Sequence, residues 1–145
     1  MNLFVDTSAL VKYYYPEADS LDVERLILAA DRIYLSELSL VEFASALMKK
    51  IRMKELDEKE RHLIWEAFLS DIQAESIEFI GLAQEDFHAA ADRILELGRD
   101  HSLRTLDALQ LASALKVDNA RFLAADTSLN SIAQELGLSL AGSGI

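Results

Sequence analysis

Short apolar runs alternate along this chain with longer segments whose apolar residues recur every three or four positions. The runs at 2–6 (NLFVD), 33–35 (IYL), 76–80 (SIEFI), 121–125 (RFLAA) and 138–140 are too short for helices and read as strands. Between them, 21–30, 36–51, 57–73, 84–99, 105–115 and 128–136 carry helical patterns. The clearest is the stripe Leu40, Phe43, Ala44, Leu47, Met48 and Ile51. Gly98 weakens the end of the 84–99 helix and Gly137 closes the last. Strands that are apolar on both faces need helices on both sides. The chain is therefore expected to be an α/β protein with a central, mostly parallel sheet flanked by helices.

No composition shift marks an internal boundary, so residues 1–145 are expected to form one domain, with 141–145 a frayed tail. Hydrophobic residues make up 51% of the chain, which is enough for a substantial core. No apolar run approaches the ~18 residues of a membrane span. The start, MNLFVD, lacks the basic and long apolar regions of a secretory signal, and there is no cysteine. These features lead to the expectation of a cytoplasmic protein without disulfides or thiolate metal sites. The formal net charge of −11 argues against a basic nucleic-acid-coating surface and fits a cation site, a basic partner or a solvated acidic surface.

Two strands end in the same tripeptide, Asp6-Thr7-Ser8 and Asp126-Thr127-Ser128, and each leads into a helix. In a parallel sheet these ends share one edge, where ligands bind. Helix capping is the simpler role for either Asp alone. Asp107 is sharper, because it is the only charge in TLDALQLASAL, a helix apolar on nearly every side. A carboxylate there must be paired, protonated or cation-bound. Dipole stabilisation in the first turn after a cap at Thr105, or an ion pair with Arg104, would also account for it. Glu42 has capping-box spacing from Ser39 and lies opposite the apolar stripe, so capping or solvation suffices for it. If the four acids converge on one rim, their repulsion recruits a divalent cation. An all-oxygen donor set selects Mg²⁺ or Mn²⁺ and suits phosphodiester hydrolysis. The hydroxyls of Thr7, Ser8 and Thr105 could orient ligands or water, although capping is the simpler role for each.

FVDTSALVKYY, LSLVEFASAL, RTLDALQLASAL and FLAAD, in that order, resemble the PIN-domain ribonucleases, and more narrowly the toxins of VapBC-type toxin–antitoxin modules. The resemblance spans Asn2 to Leu140. It implies a PIN fold and an acidic Mg²⁺ or Mn²⁺ site whose four acids fall on Asp6, Glu42, Asp107 and Asp126, with Asp6, Asp107 and Asp126 as metal ligands. Thr7 matches the hydroxyl residue after the first acid. Glu37 competes weakly with Glu42, and Asn130 lies off the family's pattern after the fourth acid. The resemblance further implies cleavage of RNA, a homodimer, and an antitoxin whose C-terminal segment wraps the toxin.

RNA needs cationic contacts, and Lys12, Lys49, Lys50, Arg52, Lys54, Arg99, Arg104 and Arg121 are available. The densest stretch, 49–54, also reads as a solvated helix end favoured by the dipole. His62, His88 and His101 have no ligand-spaced partners and read as surface residues. Trp65 reads as core, and Tyr13, Tyr14, Tyr15 and Pro16 close the first helix. A catalytically silent PIN-like binding module is the alternative from a different class. A haloacid-dehalogenase-like phosphatase needs a second Asp where Ser8 stands, and a two-component receiver domain needs paired acids after its first strand.

Overall fold

The computed structural model describes residues 1–17 and 20–142, with Leu21 by its backbone alone. In chain order the elements are β1 (Asn2–Val5), α1 (Thr7–Tyr14), α2 (Leu21–Ala29), β2 (Arg32–Ser36), α3 (Leu38–Arg52), α4 (Glu58–Gln73), β3 (Ile77–Ile80), α5 (Gln84–Leu97), α6 (Thr105–Ala114), β4 (Ala120–Leu123) and α7 (Thr127–Glu135). The four strands form one sheet in the order β3-β2-β1-β4, and every pairing is parallel. The expected α/β architecture is thus present.

Alternation along the strands explains the three layers. Leu3 and Val5 of β1 and Leu123 of β4 join a core with Leu10, Val23, Phe43, Leu47 and Phe68. Phe4 and Phe122 point to the other face and pack with Leu109, Leu111, Leu129 and Ile132. Successive strand residues face opposite sides, so each central strand feeds both cores. The Phe4 and Phe122 rings stack, their centroids 6.1 Å apart. In the first core Tyr14, Phe43, Trp65 and Phe68 form a ring cluster, with Phe43 and Phe68 edge to face at 4.9 Å. Trp65 is half-buried and packs its ring against this core, as its spacing predicts.

Local chemistry sets most boundaries. Asp57 and Glu60 close a reciprocal capping box at the start of α4. After α7, Gly137 adopts φ 91°, and the Leu138 N–H reaches back to Ala133 O at 3.0 Å. This is the left-handed helix stop that glycine permits most cheaply. Three expectations are corrected. The segment 138–140 is no full strand: it pairs with β4 through a single bridge, Phe122 with Leu140. The residue capping α6 is Arg104 and not Thr105. At the start of α3 the N-cap is Glu37, and Ser39 lies fully buried inside the helix, so Ser39 and Glu42 form no capping box. Of the segment expected to fray, 143–145 lie outside the described residues, while Ala141 N–H bonds Phe122 O at 2.9 Å.

Candidate active site

β1 sits between β2, which continues one half of the sheet, and β4, which begins the other. At such a switch point the flanking loops diverge and leave a crevice beyond the strands' C-terminal ends. The crevice here is a cleft of about 730 Å³ whose lining includes Asp6, Glu42, Asp107 and Asp126. Four acids separated by as many as 120 positions in the chain thus face one space.

Each acid arrives there for a local reason. Asp6 leaves β1, caps α1 and accepts from the Ser8 N–H at 3.1 Å and from the Ser8 hydroxyl. The Ser8 oxygen in turn accepts the Ala125 N–H at 3.0 Å, which ties the turn after β1 to the turn after β4. Asp126 caps α7 through the Ser128 N–H at 2.8 Å and the Leu129 N–H at 3.3 Å. The two DTS repeats therefore do cap helices, and they do so at adjacent strand ends. Asn130 serves the same turn, donating to Ala124 O at 3.0 Å. Asp107, with 19% of its side chain exposed, accepts from Arg104 Nε at 3.1 Å. That is the ion pair the sequence allows as an alternative.

Glu42 is held from below by a buried polar network. Its Oε1 accepts from Gln110 Nε2 at 2.7 Å and from the Thr7 hydroxyl at 2.9 Å. Gln110 Nε2 also contacts Thr7 Oγ1 at 3.0 Å and Ser39 Oγ at 3.1 Å. Gln110 is 1% exposed, and its own Oε1 has no partner among the described residues. A buried acceptor left unpaired costs roughly 1–3 kcal/mol. Gln110 was not singled out from the sequence, and Ser39 only as a helix cap. A signal existed for Gln110, which is a long polar side chain one turn after Asp107 in the same apolar helix. The helical wheel placed Glu42 on a solvated face, but packing of α3 against α6 makes that face one wall of the cleft. Thr7 and Ser8 line the cleft, whereas Thr105 is exposed and lies outside the lining. Glu37 is exposed at the α3 N-cap and also lies outside it.

Burial pushes the Asp6 carboxyl up to about 6, against the pull of its Ser8 bonds, and Glu42 and Asp107 add repulsion. Arg104 is held more firmly protonated by its bond to Asp107, with Asp126 and Asp6 adding to the effect. The donor chemistry suits a hard divalent cation: carboxylates only, with no histidine or cysteine in the lining. As they stand, however, no three acidic or histidine side chains among the described residues converge on one point that could hold an ion. Each carboxylate is engaged by a protein donor instead. His101 pairs with Glu135 at 2.8 Å, and His62 and His88 lie exposed.

No curated protein matches the sequence significantly. Among solved structures, the chain is similar to one of VapBC2 from Rickettsia felis bound to a DNA fragment from their promoter. The TM-score is 0.66 at 19% identity, covering 97% of this chain and 98% of the other. It is equally similar, at TM-score 0.66 and 15% identity, to FitAcB from Neisseria gonorrhoeae, covering 97% of this chain and 96% of that one. These likenesses are of fold. The family model of the PIN domain matches residues 3–135, a span that contains all four acids of the cleft, and the chain belongs to the PIN-domain family.

Proposed function

We propose that this protein is an endoribonuclease that hydrolyses RNA phosphodiester bonds with Mg²⁺ or Mn²⁺. We further propose that it acts in the cytoplasm as the toxin of a toxin–antitoxin pair. The observation that carries the proposal is the gathering of Asp6, Glu42, Asp107 and Asp126 around one cleft at the sheet's switch point. Asp6, Asp107 and Asp126 would hold the ion, which supplies a more acidic water and positive charge against the phosphate. The chain's own residues supply the rest. Gln110 and Thr7 fix one oxygen of Glu42 and so leave the other free to orient water. Ser8 fixes Asp6, and Arg104, already in the cleft, presents a cation to a phosphate.

The antitoxin rests on the family resemblance and on the two-protein structures to which this fold is similar, and the homodimer on the resemblance alone. No helix among the described residues is long and apolar enough to cross a membrane. One observation favours a second reading, a catalytically silent PIN-like binding module: no three acids are ready to ligate as placed. Sequencing of RNA ends after brief expression of the wild type and of Asp6→Asn separates the two. The nuclease is expected to leave new ends that Asp6→Asn does not. Identical ends in both would mean that this cleft cuts nothing.

A further inference from the structure

A polyanion meets a chain with 25 acids and 14 bases, so attraction has to be local. Half of the bases are already held in ion pairs. Arg25, Arg32, Lys50, Arg61, Arg93, Arg104 and Lys116 form ion pairs with neighbouring acids. Lys50 also sits 4.2 Å over the Tyr15 ring. Two exposed bases without an ion pair among the described residues, Lys49 and Arg52, line the cleft that holds the four acids.

Their placement follows from helix geometry. Lys49 lies seven residues after Glu42, nearly in line with it and about 10 Å along the axis of α3; Arg52 lies about 15 Å along. Ser45 and Ala46, between them on the cleft side, are small and leave the passage open. Glu42 is the only acid in α3. The lining also holds Asp107 and Asp126, with Arg104 paired to Asp107. Beside the passage stand Val41, 70% exposed, and Leu106, 46% exposed, both in the cleft lining. Apolar side chains left in water beside a charged groove suit the flat faces of unpaired bases.

We infer that Lys49 and Arg52 form a phosphate track along α3 that guides the RNA backbone to the four acids. The inference rests on the nuclease reading and names the residues that position its substrate. One strand places its flanking phosphates on the two cations, its bases over Val41 and Leu106, and a single phosphate at the acids.

The test is binding of a fluorescent single-stranded oligouridylate with phosphorothioate linkages, in Mn²⁺, over a range of KCl concentrations. Cleavage of ordinary RNA is followed in parallel. The double variant Lys49→Gln/Arg52→Gln is expected to bind at least tenfold more weakly at low salt. Its slope of log affinity against log salt should be shallower by about 1.4, two contacts at ~0.7 each. Its KM for cleavage should rise while kcat holds. Arg25→Gln/Lys59→Gln removes two exposed cations outside the cleft lining and should leave affinity and slope unchanged. An unchanged slope in the first variant, or an equal loss in the second, overturns the track. If the wild type cuts RNA but the Lys49 and Arg52 changes have no effect, the track alone is wrong. A wild type that neither binds nor cuts overturns the nuclease reading as well.

Discussion

At the scale of single residues, the most exposed consequence is the conflict at Asp6. Its carboxyl titrates near 6 when folded and near 3.8 in a free chain, chiefly because it is buried. A raised folded value means that the folded state keeps a proton the unfolded chain has released. Stability from this group is therefore full below about pH 3.8 and is lost as pH rises through 6. Asp6→Asn is expected to raise stability at pH 7.5 by about 1–3 kcal/mol, with the gain closing by pH 4. Denaturant melts at the two pH values check this; an equal gain at both would assign it to packing. Gln110 supplies a second test. Gln110→Ala removes a donor from Glu42 and leaves Thr7 and Ser39 with fewer partners in a buried space. We expect a loss of about 1–3 kcal/mol in stability. Any cleavage should lose kcat with KM unchanged, because the substrate contacts on α3 remain. Asp107 was conspicuous in the sequence because charge stands out in an apolar helix. Glu42 was not, because a wheel drawn for one helix cannot show which neighbour covers its polar side.

At the scale of elements, α4 offers the cleanest separation of local from tertiary stabilisation. Its capping box, Asp57 with Glu60, is exposed and independent of the sheet. Asp57→Ala should cost about 1 kcal/mol and leave the site untouched. Phe68 on the same helix is fully buried among Tyr14, Phe43 and Trp65. Phe68→Ala should cost about 3–5 kcal/mol. If the two changes prove equal in thermal melts, the ring cluster holds less of α4 than its burial implies. The core strands and all the longer helices were legible to within a few residues, because each repeats its pattern over several positions. The segment 138–140 was not: its residues suit a strand, but only one bridge to the edge of β4 forms.

For the whole molecule, the decisive property is the response to a cation. One oxygen of Asp107 already accepts from Arg104, so an ion shared by Asp6, Asp107 and Asp126 competes with that pair for the carboxylate's charge. With Mn²⁺ at about 100 times its Kd, folding should gain roughly 2.7 kcal/mol. The gain should disappear in Asp107→Asn. A thermal melt without a shift in Mn²⁺ would favour the silent binding module.

The order of strands and helices, the parallel sheet and the acids at the ends of β1 and β4 all follow from the sequence alone. Burial on both faces and strand-to-helix turns leave local patterns that can be read in a line of residues. Only the tertiary structure decided that Glu42 shares the cleft and that Gln110 and Thr7 hold it there. Those relations join α1, α3 and α6 beside the switch point, and contacts between distant segments leave no periodicity in the chain.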